Sequence, residues 1–515
     1  MSMLEASEFQ DNLVTFQRRI NLNAKKDPFI LKFPPEISSQ IFFLSLEAAS
    51  YEEPKKLPTS FVLGSVCHGW RLLAWSTPEL WSTLSFSLEK PRKPEGLSQL
   101  QGVTGWLQLS GDLPLTLRVL RYCGPDSISP EGCAPVIDVV NQHSGRWHKL
   151  FLRLPAAFLP RFCGTSPPSN LCDLSVIRGD DVDNVTPAFR MLSRPSPTHF
   201  TIWCYPVSAF DIAWDNLTFL KLTLTIFDGC MEVIQKAPLL EFCWIEIYEG
   251  PNEFPPFPKK TGHVRHRCLR TLTLSRLSFE ALRDILDMLE LPSLETYCCH
   301  SPSGDFAVDN VISLLNRSGI QLKQLTLGLH DAVMEDIKKL LPAVPCLQRF
   351  YFDYCPWPDE LTFGMHGLFD ALSSSPPSPV ERLLPDLQSL TIIYRRLSHW
   401  GCVILLDWRH YGLSTRDIEY EIKIDDDTLR KISRLVNEGV HIRICAGWNG
   451  EDFLQKSKGK PCAVNPSEGS EVVQQRELGT ADEDQEGVSV VDHDEEKEGC
   501  LFSFSSLISC IFCRR

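Results

Sequence analysis

The sequence predicts an α/β chain: a small module of three short helices, then an irregular arc of short parallel strands with return helices, then an acidic polar tail. Three observations carry that prediction. Apolar residues recur at helical spacing between residues 33 and 84. A different apolar pattern, two residues apart after a step of three, recurs through the middle of the chain. The composition, with 43% hydrophobic and 23% charged residues over 515 positions, is that of a chain able to bury cores, and its length exceeds the roughly 150 residues of a typical domain.

Taken in order, Leu13, Phe16 and Ile20 are spaced for a short helix, and a connector follows up to Phe29, so that residues 1–27 form a helix and linker. From residue 28 the pattern sharpens. Pro34, Pro35 and Glu36 are a helix start, with proline in the first turn and an acid at the positive end of the helix dipole. Ile37, Ile41 and Leu44 then share a face. After a loop rich in proline and lysine, from Glu52 to Pro58, the residues Leu63, Val66, Cys67 and Trp70 stand at i, i+3, i+4 and i+7 and predict one continuous second helix. Ser76, Thr77, Pro78 and Glu79 begin a third, carrying Leu80, Trp81 and Leu84. A unit so small cannot absorb Phe42, Phe43, Leu72, Leu73 and Trp75 as well, so the module is expected to dock onto something.

The residues Phe33-Pro34-Pro35-Glu36-Ile37, Ile41-Phe42, Val66-Cys67-His68-Gly69-Trp70-Arg71, Ala74 and Ser76-Thr77-Pro78-Glu79-Leu80-Trp81 follow one another in order. In this respect residues 28–90 resemble the F-box of mushroom-forming fungi, with Phe33 where leucine is usual. The resemblance implies a surface that grips the Skp-type adaptor of a cullin-RING ubiquitin ligase. The residues it implicates in adaptor binding are Pro34, Pro35, Glu36, Ile37, Ile41, Leu63, Val66, Cys67, Trp70, Leu80 and Trp81. Some of these must instead hold the helices together, and Trp70 and Trp81 suit a core as well as a contact.

The second pattern fills residues 91–450. It comprises Trp147-Leu150-Leu152, Leu171-Leu174-Val176, Leu217-Leu220-Leu222, Leu239-Phe242-Trp244, Leu269-Leu272-Leu274, Leu322-Leu325-Leu327, Leu347-Phe350-Phe352 and Leu387-Leu390-Ile392. Starts are mostly twenty to about thirty residues apart, the period of leucine-rich repeats, with a larger gap at the loop Ser373 to Pro379. Each unit implies a strand whose alternate residues enter a shared core, then a helix returning the chain for a parallel neighbour. Two return helices are visible, one bearing Leu282, Ile285, Leu286 and Leu289, the other Val333, Ile337, Leu340 and Leu341. No consistent asparagine marks the turns, so an irregular arc resembling the leucine-rich repeats of F-box proteins is expected. Trp106-Leu107, Ser110-Gly111 and Leu113 to Leu117 resemble the strand that follows the F-box in those proteins, and the repeats are expected to start there. Lys221, Thr223, Thr273, Ser275, Gln324 and Thr326 alternate with buried positions and are open to a partner.

No nucleotide-binding, hydrolase or metalloprotease motif occurs, so the chain is expected to be non-catalytic and to need no cofactor. Three groups have metal-ligand character: Cys510 with Cys513; Cys298, Cys299 and His300; and His263, His266 and Cys268. None has a converging partner pair, and no metal site is expected. Lys259, Lys260, His263, Arg265, His266, Arg267 and Arg270 form the strongest basic cluster, suited to a solvated loop between repeats or to an acidic or phosphorylated target segment. The nineteen cysteines include scattered apolar-flanked thiols that behave as small hydrophobes. The net charge of −14 argues against nucleic acid as a partner.

Residues 451–499 are expected to be a disordered acidic linker. Residues 500–515 form an apolar tail, too short to span a bilayer, whose Cys500, Cys510 and Cys513 suit palmitate and whose Phe502, Phe504, Ile508, Ile511 and Phe512 suit shallow membrane insertion. A disordered tail, or one folded back on the repeats, is the simpler alternative. The start of the chain lacks a secretory signal, so the sequons at Asn184, Asn216 and Asn316 are taken as chance matches and an intracellular location, cytoplasmic or nuclear, is expected. The resemblance as a whole implies a substrate-recruiting subunit, with the adaptor and cullin complex on one side and an unidentified protein target on the repeats. A repeat scaffold outside any ligase is the alternative.

Overall fold

The computed structural model describes residues 33–46, 59–88, 97–121, 129–166, 170–179, 188–224, 229–247, 263–301, 306–329, 334–354, 372, 383–394, 426–437, 439–446 and 451–452. The helix expected at residues 11–20, the loop 52–58, Lys259 and Lys260, Val333, and all but the first residues of the acidic linker and tail lie outside them.

The chain opens with helices α1 (Pro35–Leu44), α2 (Thr59–Val66) and α3 (His68–Trp75), followed by a 3₁₀ turn at Pro78–Trp81. The expected second helix is two. Cys67 is extended, at φ −158° and ψ 173°, and its sulfur accepts the Trp70 amide at 3.4 Å, so it ends one helix and caps the next. Cys67 satisfies an amide left over at a helix start, which periodicity alone does not reveal. The third predicted helix is only the 3₁₀ turn, because the chain enters β1 (Thr83–Ser87) immediately afterwards.

Thirteen strands then form one parallel sheet in chain order. With β1 they are β2 (Leu115–Leu120), β3 (Trp147–Leu154), β4 (Asp173–Arg178), β5 (His199–Trp203), β6 (Phe219–Leu224), β7 (Phe242–Ile247), β8 (Thr271–Ser275), β9 (Thr296–Ser301), β10 (Gln324–Leu329), β11 (Arg349–Tyr354), β12 (Ser389–Tyr394) and β13 (His441–Ala446). A two-residue strand, Glu451–Asp452, adds antiparallel to β13. The sheet therefore starts at Thr83, one strand before the segment Leu113 to Leu117, whose last three residues open β2. The long intervals from Leu171 to Leu217 and from Leu269 to Leu322 each hold a further strand, β5 and β9. Their inward residues Phe200, Ile202, Tyr297 and Cys299 include no leucine, so a leucine-led pattern passes over them.

The register stacks residues into columns. One inward column runs Leu84, Leu117, Leu150, Leu174, Phe200, Leu220, Cys243, Leu272, Tyr297, Leu325, Phe350, Leu390 and Ile442, all buried. A second lies two residues on, from Phe86 and Val119 to Phe352 and Ile392. Because side chains alternate along a strand, every rung contributes two residues to a continuous core and leaves its intervening residues on the opposite face. Burial pushes the inward Cys243 and Cys299 thiols up to about 12, so they remain protonated and serve as small hydrophobes.

In β7 the register is one residue away from the expectation. Leu240, Cys243, Ile245 and Ile247 are buried, whereas Leu239 is 49% exposed and Phe242 and Trp244 face outward. Both parities are apolar here; the difference is Glu246, which shares a face with Phe242 and Trp244 and would be buried in the alternative register, at a cost of several kcal/mol. The rung spacing agrees, since the amides of Glu241 and Phe242 donate to the Thr218 carbonyl just as those of Thr218 and Phe219 donate to Thr198.

The return segments close the core from the other side. Helices α4 (Leu97–Leu109) and α5 (Pro130–Gln142) lead to β2 and β3; α6 (Cys230–Lys236), α7 (Phe279–Met288), α8 (Val308–Ser318), α9 (Met334–Leu340) and α10 (Asp426–Asn437) follow between later strands. The expected stripes on α7 and α9 are buried, through Leu282, Ile285 and Leu286 and through Ile337 and Leu340, with Leu289 and Leu341 just beyond the helices. Ser278 caps α7 through the Ala281 amide, and Arg317 near the end of α8 donates to the carbonyls of Leu286 and Leu289 at the end of α7. This ties consecutive return helices by satisfying orphan carbonyls.

The turn after β3 depends on Gly164, at φ 55°, where an added Cβ would lie 2.7 Å from Met191 Cε and 3.0 Å from Ser144 Cβ. Buried Asn141 holds this turn by accepting the Gly164 amide and donating to the Arg161 carbonyl. Gly164→Val is therefore expected to lower unfolding stability by about 1–3 kcal/mol, seen as a lower urea midpoint with unchanged slope; an unchanged midpoint would contradict the required left-handed turn.

Arg146 is a second joint. Its guanidinium donates to the Leu113 carbonyl and to Ser110 Oγ and lies 3.4 Å from His143 Nδ1. Burial first, and the Arg146 charge second, hold His143 below its ordinary value of 6.5. The unfolded chain thus binds more protons at this site, so the stabilisation is complete above about pH 6.5 and is lost as the pH falls. Denaturation between about pH 7 and 5 should show stability declining with acid, and His143→Gln should flatten that slope; equal slopes would remove His143 from the effect.

Candidate functional site

The first three helices are the most apolar surface the described residues offer. Of the twelve large apolar side chains exposed among the described residues, eight lie between Phe33 and Leu72: Phe33, Ile37, Ile41, Phe43, Leu44, Val62, Val66 and Leu72. Ile37, Ile41 and Leu44 stand at i, i+4 and i+7 on the outer face of α1, exposed by 48%, 39% and 72%, and Val62 and Val66 stand at i and i+4 on α2. Such a concentration marks an association surface rather than scattered solvent-facing residues.

What holds these helices is the opposite side of the same elements. Phe42 is buried against Trp70, ring centres 4.8 Å apart. Trp81 donates to the Ala74 carbonyl at 2.8 Å, while its own carbonyl accepts Trp106 Nε1 at 2.7 Å. The rings of Trp81, Trp106 and Phe61 meet edge to face at 4.8–5.4 Å. Arg71 donates to the Gly64 carbonyl at 2.9 Å and ties α3 to α2. The module is thus fused to the sheet through α4, and its outer apolar face is left to solvent.

This geometry divides the residues implicated from sequence. Pro34, Pro35, Glu36, Ile37, Ile41 and Val66 are exposed. Leu63, Cys67, Leu80 and Trp81 are interior, and Trp70 is half-buried on Phe42. These five build the module rather than its outer surface. Phe43 and Leu72, noted as surplus to a small core, are exposed, whereas Phe42 is core and Leu73 and Trp75 are half-buried against it. Leu44 lies on the same stripe as Ile37 and Ile41 and Phe33 begins the F-box-like motif, whereas Val62 carries no separate signal in the sequence.

The outward face of the sheet is the second candidate surface. Lys221, Gln324 and Thr326 are half-buried there, while Thr223, Thr273 and Ser275 are buried between larger neighbours. Of the metal-ligand groups, Cys510 with Cys513 lies outside the described residues, and the other two do not assemble. His266 is buried, with Nε2 2.8 Å from the Ala237 carbonyl and Nδ1 accepting the Leu269 amide at 3.1 Å. Cys299 points into the core while Cys298 and His300, its strand neighbours, point outward. Among the described residues no set of three or more His, Cys, Asp or Glu side chains is placed to hold a metal, and no helix is long and apolar enough to cross a membrane. In the basic cluster, Arg265 pairs with Glu290 at 3.2 Å. No family model and no curated protein matches the chain.

Proposed function

We propose that the chain is a non-catalytic, substrate-recruiting F-box subunit of a Skp-cullin-F-box ubiquitin ligase, acting inside the cell, with the helical module on the Skp-type adaptor and the leucine-rich-repeat-like arc on a protein target. The observation that carries this reading is the exposure of Ile37 and Ile41 on α1 and of Val66 on α2 in the segment whose sequence resembles an F-box. Burying such a side chain from full exposure is worth roughly 1.5–3 kcal/mol, and from half exposure about half as much, and several together supply the core of a standard interface. Pro34, Pro35 and Glu36 at the start of α1 lie at the edge of that face. The long sheet supports a second, extended contact surface without needing any reactive group. Its part in the reaction is to hold a target near another protein's chemistry.

The test is binding of the purified full-length chain to the purified Skp-type adaptor, followed by addition of the cullin. Micromolar or tighter adaptor binding, together with proteins whose ubiquitylation falls when the chain is deleted, is the expected result. Absence of adaptor binding by the folded chain would overturn the reading. Binding without any change in ubiquitylation would leave a repeat scaffold instead.

A further inference from the structure

The outward residues of β5, β6 and β7 form an aromatic rack. In one row His199 stacks on Phe219, ring centres 5.5 Å apart and 22° between planes, and Phe219 stacks on Phe242 at 4.5 Å and 4°. In the next row Lys221 extends over Trp244, with Nζ 4.1 Å from the ring centre. In the third, Trp203 is 45% exposed and follows the strand of Thr201 out to solvent. The rack is bordered by Asp173, Ser175 and Ile177 of β4 on one side and by the small side chains Thr271, Thr273 and Ser275 of β8 on the other.

The charges on the rack are unequal in a useful way. Glu246 is engaged by Arg276 at 3.5 Å and by the Thr223 hydroxyl at 3.4 Å, and Asp173, beside His199, accepts from Ser175 at 3.3 Å. Lys221 lies over a ring, and among the described residues no carboxylate pairs with it. The surface therefore offers one ammonium on an aromatic floor, which complements a carboxylate held beside an apolar side chain. Large aromatic residues of this kind dominate protein interfaces once water is excluded, and the Trp244 ring beneath the Lys221 ammonium holds it in place by cation–π attraction.

The spacing restricts the partner further. Phe219 and Lys221 are two residues apart on one strand, about 6.7 Å, and an extended segment presents its own alternate side chains at that same interval. We propose that the β5–β7 rack is the docking surface for an extended, acidic-aromatic segment of the target protein, its ring against Phe219 and Phe242 and its carboxylate, two residues away, on Lys221. This rests on the recruiting function above and names the chemistry of what is recruited. Aromatic and cationic side chains also receive nucleobases, but the net charge of −14 opposes approach of a polyanionic backbone.

The experiment is fluorescence anisotropy of the labelled peptide Gly-Asp-Ser-Phe-Ser-Glu-Gly with the full-length chain. Parallel titrations use a version with alanine for phenylalanine, a version with lysines for both acids, and a twelve-nucleotide oligouridylate. The expected result is binding of the parent peptide that falls by about tenfold or more with either altered peptide, with Lys221→Glu and with Phe242→Ala, whose side chains are not in the core. Failure of the parent peptide to bind, equal affinity of Lys221→Glu, or preferential binding of the oligouridylate would overturn the proposal. Adaptor binding is measured on the same proteins: its loss in the parent chain would count against the recruiting function alone, and its retention in Lys221→Glu shows that the module is intact.

Discussion

The double substitution Ile37→Asp with Ile41→Asp is expected to abolish adaptor binding while leaving the chain folded. Both residues sit on the outer face of α1, exposed by 48% and 39%, so in the free protein two carboxylates there can turn to water and alter stability by about 1 kcal/mol or less each. In a complex they would be desolvated in the middle of an apolar interface with nothing to pair them. An uncompensated interfacial charge costs about 2–5 kcal/mol, a loss of roughly thirtyfold or more in affinity for each. Calorimetric titration against the adaptor, beside a thermal melt, measures both quantities. Parent-like affinity in a folded variant would remove α1 from the interface and with it the strongest support for the proposed function. Glu36→Gln, at the rim of the same face, should matter far less and mainly through the association rate.

The largest effect on stability is expected from Trp81→Ala. Trp81 is 1% exposed, and its ring contacts Trp106 and Phe61 while its indole nitrogen satisfies the Ala74 carbonyl. Removing it leaves a cavity and an unsatisfied acceptor at the joint between the helices and the sheet. The expected loss is about 3–5 kcal/mol, read as a lower urea midpoint. Because the cavity lies where α3 meets the 3₁₀ turn, adaptor affinity should fall as well, through misplacement of α1 rather than through a lost contact. Trp81→Phe, which keeps most of the volume but not the donor, should recover the greater part of the stability. A variant as stable as the parent would mean that the module is held to the sheet by something other than the Trp81, Trp106 and Phe61 cluster.

Much of the architecture was legible before any coordinates. The repeating apolar steps located most of the strands, because an inward column tolerates little but apolar side chains and a period-two pattern is visible in each strand alone. Where the inward residues are Phe, Ile, Tyr and Cys rather than leucine, as in β5 and β9, a leucine-led pattern passes over them although the same physics operates. In β7 the decisive residue was present in the sequence: Glu246 sits in phase with Phe242 and Trp244, and burying it is what the chain avoids. The split at Cys67 was less accessible, since the i, i+3, i+4, i+7 spacing survives a break when both short helices pack against the same neighbour.

The candidate adaptor surface shows the same limit from the other side. Residue type and spacing identified Ile37, Ile41 and Val66 together with Leu63, Leu80 and Trp81, and no local property separates the two sets. An isoleucine that faces a partner and a leucine that faces the core obey the same helical periodicity. Sequence alone thus determined that this chain is α/β, that a helical module precedes a run of parallel strands, and that more apolar side chains are present than the module can bury. Only the tertiary structure decided which of them stay outside, which way β7 faces, and that His199, Phe219, Phe242, Lys221 and Trp244 come together on one face. Burial and alignment across strands depend on neighbours distant along the chain, and a pattern read along the chain carries no information about what lies beside it.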